Sequence, residues 1–210
     1  MQKNINEILN VLDFYYPDAK CELNFNSPYQ LLVAVILSAQ CTDKRVNQVS
    51  KKLFEIAPTA KKMLQLGEEK LKEIIKPCGF FNNKAKSIIS ASKDIVEKFN
   101  GEIPSNRNEL ESLRGVGRKT ANVVLAENFK KPEIAVDTHL LRLSKRLNLT
   151  SINSNPNKCE KDLLKLVPVD RRIKFHHQMI WFGRYKCKAI KPECDGCKMF
   201  KFCKYYKGKK

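Results

Sequence analysis

Lys119 closely follows Gly115-Val116-Gly117 in the stretch Leu113-Arg114-Gly115-Val116-Gly117-Arg118-Lys119-Thr120-Ala121. Two glycines around a valine suit a tight hairpin whose backbone N–H groups can face a phosphate. A helix starting directly after the hairpin puts Lys119 in its first turn. There the positive helix end and the neighbouring Arg118 disfavour an ammonium, which predicts a lowered lysine pKa. An amine with some neutral fraction near pH 7 is a nucleophile for a sugar carbon or a carbonyl. Asp137, in Ile134-Ala135-Val136-Asp137-Thr138-His139, adds a carboxylate able to deprotonate that amine or stabilise a developing cation. Each also has a plainer reading. The hairpin alone suits a phosphate-backbone holder with Lys119 as a charge contact, and Asp137 suits a helix N-cap ahead of Thr138.

Cys187, Cys194, Cys197 and Cys203 form C-x6-C-x2-C-x5-C. Four thiolates in one short loop can wrap a single metal centre, and both tetrahedral zinc and iron–sulfur cubes take four cysteines. Structural zinc sites more often pair two C-x2-C knuckles across a longer insert. The spacing therefore leans to iron–sulfur and leaves zinc open. Lys186, Lys188 and Lys191 sit beside or between the first two ligands, so a metal-fixed loop would present positive charge to phosphates; the same lysines also read as merely solvated. Cys21, Cys41, Cys78 and Cys159 share no ligand spacing and read as small core or surface residues.

The chain carries 40 Lys and Arg against 22 Asp and Glu, a net charge of +18 over 210 residues. Such a balance implies a polyanionic partner whose binding weakens as salt rises. Lysine outnumbers arginine, which suits sequence-independent phosphate contact better than bidentate reading of guanines. The hydrophobic fraction of 42% is ordinary for a globular protein, and the length suits one large domain or two small ones. The longest apolar run, Leu31 to Leu37, is too short to span a bilayer. The start MQKNINEILN lacks the apolar core of a signal peptide. Eight cysteines in such a chain read as thiols or metal ligands rather than disulfides. The expectation is a cytoplasmic, nucleoid-associated protein with no membrane contact.

Helical periodicity dominates. Ile5, Ile8, Leu9 and Leu12 share one face; Ile74-Ile75, Ile88-Ile89 and Val123-Val124-Leu125 lie on others. Helix starts are expected at Ser27-Pro28, Thr42-Asp43, Asn155-Pro156 and Asp170. No apolar/polar alternation marks a strand, so the fold is read as all-α. His176-His177 lies in an apolar stretch ending at Trp181-Phe182-Gly183 and reads as packing. The one biased segment is the basic end Lys207-Gly208-Lys209-Lys210.

The hairpin resembles the helix-hairpin-helix of the endonuclease III family of DNA glycosylases, whose pattern is close to L-P-G-V-G-R-K-T-A; Arg114 stands where proline is common. The cysteine spacing is similar to that family's [4Fe-4S] loop. Ser38-Ala39-Gln40-Cys41-Thr42-Asp43 resembles its L-L-S-A-Q-x-T-D segment, and Gly79-Phe80-Phe81-Asn82 looks like its second insertion loop. The resemblance covers nearly the whole chain. It implies a six-helix barrel over 21–131 with the helix-hairpin-helix at about 106–128, and a second helical domain of 1–20 with 132–210 bearing the cluster. DNA would bind in the groove between them, with Asp137 across from Lys119.

The activity implied is base excision repair. The enzyme flips a damaged base from duplex DNA, Asp137 stabilises the sugar cation, and Lys119 attacks C1′ to give a Schiff base that β-eliminates. The partner expected is double-stranded DNA holding oxidised pyrimidines or abasic sites, bound by a monomer. Gln40 fills the vacated gap and Phe80 wedges the stack, although Gln40 also suits a capping amide and Phe80 a core position. Gly115, Val116, Gly117, Arg118, Thr120, His139, Lys188 and Lys191 are the further DNA-contact candidates. A monofunctional adenine- or thymine-mismatch glycosylase is the alternative. Those relatives generally carry serine or tyrosine in place of Lys119, and the adenine enzyme has a further C-terminal domain for which the stretch after Cys203 leaves no room. A non-catalytic, metal-stapled DNA-binding module explains charge, hairpin and cysteines but gives Lys119 and Asp137 no work.

Overall fold

Ser27 and Pro28 start the most apolar helix of the chain. The Ser27 hydroxyl accepts from the Gln30 amide at 3.2 Å, and Pro28 fills the first turn, where a missing N–H is harmless. The resulting α-helix, Pro28–Ser38, is buried on all sides from Tyr29 to Leu37, as a helix without a polar face must be. The computed structural model describes residues 4–207, and the regular elements among them are all helical. Among them no helix is long and apolar enough to cross a membrane. The run Leu31 to Leu37 is instead the centre of a packed core.

In chain order the α-helices are α1 (Ile5–Tyr15), α2 (Pro28–Ser38), α3 (Asp43–Ile56), α4 (Ala60–Leu66), α5 (Glu68–Ile75), α6 (Phe81–Lys98), α7 (Arg107–Ser112) and α8 (Arg118–Phe129). They continue as α9 (Thr138–Arg146), α10 (Pro156–Leu166), α11 (Arg172–Trp181) and α12 (Lys204–Lys207). Two compact units result. One is Glu22–Phe129, holding α2 to α8 around a core that includes Leu37, Leu53, Met63, Leu71, Ile88 and Leu110. The other comprises the described residues through Cys21 and from Lys130 on, with its own core of Ile8, Leu12, Leu140, Leu163, Phe175 and Phe182. Side-chain caps from Thr42, Asn106 and Asn155 start α3, α7 and α10. Gly208 to Lys210, most of the basic end singled out above, lie outside the described residues.

Two local expectations are corrected. Asp170 is not a helix cap: it lies inside a 3-10 turn, Val169–Arg171, and α11 begins at Arg172 without a side-chain cap. Pro168, at φ −51°, starts the tight turn that takes up Asp170 before α-geometry sets in. Nor does the helical path stop at Gly183. It widens into a π-turn, Phe182–Lys186, that delivers Cys187. A Cβ at Gly183 would lie 3.0 Å from His139 Cβ and 3.1 Å from His139 Nδ1, so a larger residue there would need His139 to give by a few tenths of an ångström for the π-turn to lie so close to α9. His176 and His177 are both buried.

Asp13 ties α1 to α11. It accepts from Arg171 Nη2 at 2.8 Å and Gln178 Nε2 at 2.9 Å, and pairs with Lys174 at 2.9 Å. Burial works against its charge, but the hydrogen bonds from Lys174, Gln178 and Arg171 prevail and hold the carboxyl at about 2. A carboxyl depressed on folding adds stability above its unfolded pKa of about 4, and that stability disappears as pH falls through the folded value. Asp13→Asn should therefore lower the thermal midpoint at pH 7, with the gap to wild type closing between about pH 4 and pH 2. Circular dichroism melts across that range check it; a gap unchanged at pH 2 would rule out the charged anchor.

Candidate active site and cysteine loop

The chain between α7 and α8 turns at Leu113 to Gly117. Arg107 on α7 donates to Asn122 Oδ1 on α8 and fastens the two helices. Gly115 has φ +83°, and a Cβ there would fall 2.6 Å from Ser87 Cβ and 2.8 Å from Ser87 Oγ. Conformation and space both demand glycine. Gly117 has ordinary φ and nothing within 4 Å of a built Cβ. Val116 does not face outward: its side chain is buried in the unit's core and its N–H is bonded to Leu113 O at 3.0 Å. An apolar side chain at the hairpin tip thus anchors the turn. Gly115, Gly117, Arg118 and Lys119 are exposed and Thr120 is half-buried. Lys119 lies in the first turn of α8.

The two glycines should respond differently to an added methyl. Gly115→Ala should cost roughly 1–3 kcal/mol of stability through strain and overlap. Gly117→Ala should cost less than about 1 kcal/mol yet weaken duplex binding by crowding the surface a phosphate approaches. Urea denaturation and fluorescence anisotropy separate these effects; equal destabilisation would contradict the steric argument.

Asp137 is the N-cap of α9, its Oδ1 accepting from Leu140 N at 2.7 Å. The cap fixes the orientation of a half-buried carboxylate. His139 is half-buried, with Arg142 Nη2 3.3 Å from its Nδ1. Burial lowers its pKa; Asp137 opposes this, and Arg142 and Arg184 add to it. The imidazole is thus a neutral hydrogen-bonding group near pH 7, not a phosphate-pairing cation.

Gln40 and Phe80 sit at two backbone outliers, φ +53° and +48°. Gln40 is exposed in the turn before α3. Phe80 precedes α6 and is 63% exposed, so the core reading of this residue is set aside. Left-handed geometry is uncommon outside glycine and strained for a bulky side chain. A buried lysine absent from the sequence reading braces both segments: Lys84, 5% exposed, donates from Nζ to Leu37 O and Cys78 O, each at 2.8 Å. Its sequence signal was a lone cation beside Ala85 and Ile88 on the inward face of α6.

Cys187, Cys194, Cys197 and Cys203 line one small cavity, with Leu147, Phe182, Met199 and Phe200 among its walls. Among the described residues, no group of three or more His, Cys, Asp or Glu forms a ready single-ion site; the thiols instead ring a volume. Two arginines of α9, also missed in the sequence, order the start of the loop. Arg142 Nη2 donates to Gly183 O at 2.8 Å and Cys187 O at 3.0 Å. Arg146 Nη1 donates to Cys187 Sγ at 3.2 Å and Lys188 O at 2.9 Å. Lys188 pairs with Glu193 at 2.9 Å, Lys186 stands 5.0 Å over the Tyr15 ring, and Lys191 is exposed.

Residues 33–169 match the family described as HhH-GPD superfamily base excision DNA repair protein. Endonuclease III of Haemophilus influenzae is 49% identical over 199 residues, 95% of this chain and 94% of that one. A non-covalent endonuclease III–DNA complex and a trapped endonuclease III–DNA covalent intermediate each match with TM-score 0.96 and 42% identity, covering 100% of this chain and 98% of theirs. By sequence across nearly its full length, and by fold, the chain belongs to the HhH-GPD superfamily of base excision DNA repair proteins and, within it, to the endonuclease III family.

Proposed function

We propose that the protein is a bifunctional DNA glycosylase and abasic-site lyase acting on oxidised pyrimidines in duplex DNA, working as a monomer at the nucleoid. The observation that carries this reading is an exposed primary amine, Lys119, in the first turn of the helix after a glycine-built hairpin. A relative of similar fold has been caught covalently bound to DNA. The target nucleotide leaves the stack, and Gln40 and Phe80 fill the space it vacates. As the bond from C1′ to the base breaks, Asp137 stabilises the positive sugar. Asp137 helps take a proton from Lys119, whose nitrogen bonds to C1′; the base departs with a proton, and the ring opens to a Schiff base. Loss of a C2′ proton then expels the 3′ phosphate, which nicks the strand. Gly115, Gly117, Arg118, Thr120, His139, Lys188 and Lys191 are assigned to holding the phosphate backbone.

Incubation with a panel of duplexes bearing single lesions or an abasic site tests the assignment. Nicking at the lesion supports it. Base release with an intact strand would leave a monofunctional glycosylase, and binding without either would leave a DNA-binding module.

The cysteine loop is assigned a [4Fe-4S] cluster. Four thiols lining one small, largely apolar cavity offer the four thiolate ligands that a [4Fe-4S] cluster takes. The thiolates of Cys187, Cys194, Cys197 and Cys203 would hold the cluster, which would fix the shape of the loop that carries Lys188 and Lys191. Purified protein should absorb near about 400 nm and contain iron and acid-labile sulfide in equal amounts. Cys197→Ala should lose that colour and melt at lower temperature. Colourless protein holding zinc would overturn the assignment.

A further inference from the structure

The Gln40 segment joins the end of α2 to the start of α3, and Phe80 follows the 3-10 turn Lys76–Cys78. Lys84 bonds to both. From the first turn of α6 its backbone N–H donates to Phe80 O at 3.1 Å, while its Nζ spans Leu37 O and Cys78 O. Leu37 O is among the last carbonyls of α2, which no N–H within the helix can reach. A second cation works on the far flank of the segment: Arg45 Nη1 on α3 donates to Pro77 O at 3.3 Å. Both flanks of the Gln40 segment are thereby fastened to the turn that leads into Phe80.

A side chain only 5% exposed is an unfavourable place for an ammonium unless it is bonded. An apolar residue could fill the same space on α6 without that desolvation, but it could not join two carbonyls of separate segments. One ammonium donates in several directions from a single atom, so Nζ sets how far apart Leu37 O and Cys78 O stand. The segments lead into the left-handed residues Gln40, at φ +53°, and Phe80, at φ +48°. Such conformations persist only where the surroundings over-determine them. We propose that Lys84 is a positioning residue that makes the Gln40 and Phe80 segments one clasp, fixing the spacing at which their side chains enter a duplex gap. The proposal rests on the reading of those two residues as the gap-filling pair. Buried beneath both segments, Lys84 acts on DNA only through them.

Lys84→Met keeps a long unbranched side chain and removes the charge, so the two segments relax independently. Displacements of about 1 Å in such a site can cost on the order of 10²-fold. Affinity for a duplex holding a tetrahydrofuran abasic analogue should fall by roughly 10- to 100-fold. Affinity for the same strand unpaired should change by less than about 3-fold, because a single strand has no stack to open and no gap to fill. The salt dependence of duplex binding should stay the same, since Lys84 meets no phosphate.

The test uses the whole protein with its metal centre and reads affinity by fluorescence anisotropy for wild type, Lys84→Met, Gln40→Ala, Phe80→Ala and their combinations. In wild type the losses from Gln40→Ala and Phe80→Ala should not multiply: the double variant should fall short of their product by about 3-fold or more. In the Lys84→Met background the two losses should multiply. Lys84→Met with wild-type duplex affinity overturns the proposal, and so does an equal loss on duplex and single strand, which marks general damage. A salt slope reduced by about one ion would make Lys84 a phosphate contact and overturn it as well. Should circular dichroism show Lys84→Met unfolded, the exposed pair decides in wild type alone: losses that multiply there overturn the clasp. If Gln40→Ala and Phe80→Ala leave duplex binding unaltered while Lys84→Met weakens it, the gap-filling reading fails and the brace between the segments stands.

Discussion

Lys119→Gln should abolish covalent attachment to deoxyribose. Borohydride added to a mixture with abasic duplex should trap wild-type protein as an adduct on a denaturing gel and trap none of the variant. Strand nicking should fall by on the order of 10³-fold or more, because no other group supplies the Schiff base. The same substitution should be nearly silent in other respects. Lys119 is exposed on the first turn of α8, so its loss opens no cavity and the thermal midpoint should stay within about 1–2 °C. Duplex affinity should weaken only a few-fold, with the salt slope falling by about one ion. The pattern separates chemistry from binding. If Lys119 only contacts phosphate, wild type forms no adduct and the variant differs in affinity alone. An adduct that survives Lys119→Gln would put the nucleophile elsewhere.

Asp137 is capped geometry and candidate chemistry in one side chain, and two substitutions pull these apart. Asparagine caps a helix about as well as aspartate, so Asp137→Asn keeps an oxygen accepting from Leu140 N and should leave stability within about 0.5 kcal/mol. It loses the negative charge, and base excision should fall by roughly 10²–10³-fold. Asp137→Ala removes cap and charge together and should cost a further ~1 kcal/mol of stability. Single-turnover base release and urea denaturation on both variants check this. Should Asp137→Asn release base at the wild-type rate, Asp137 is a cap and nothing more.

What the amino-acid order determined by itself is what acts over short range. A capping bond spans three residues, so Ser27, Thr42 and Asn155 announce α2, α3 and α10 without reference to the rest of the chain. Helical period, hairpin glycines, cysteine spacing and net charge are legible for the same reason, as is Lys119 in the first turn of α8. Where a nearer neighbour competes, local reading fails: Pro168 draws Asp170 into a 3-10 turn.

Only the tertiary structure decided which side of the surface each residue occupies and which distant residues meet. Val116 turns its side chain into the core at the hairpin tip, and Phe80 turns outward, as a wedge must and a core residue would not. Lys84 reaches Leu37 O, 47 positions away. Arg146 finds Cys187, 41 positions on. No sequence period links such pairs. They come together because each core must close around its own apolar residues, and a buried polar group must then bond to whatever carbonyl or sulfur the packing brings within reach.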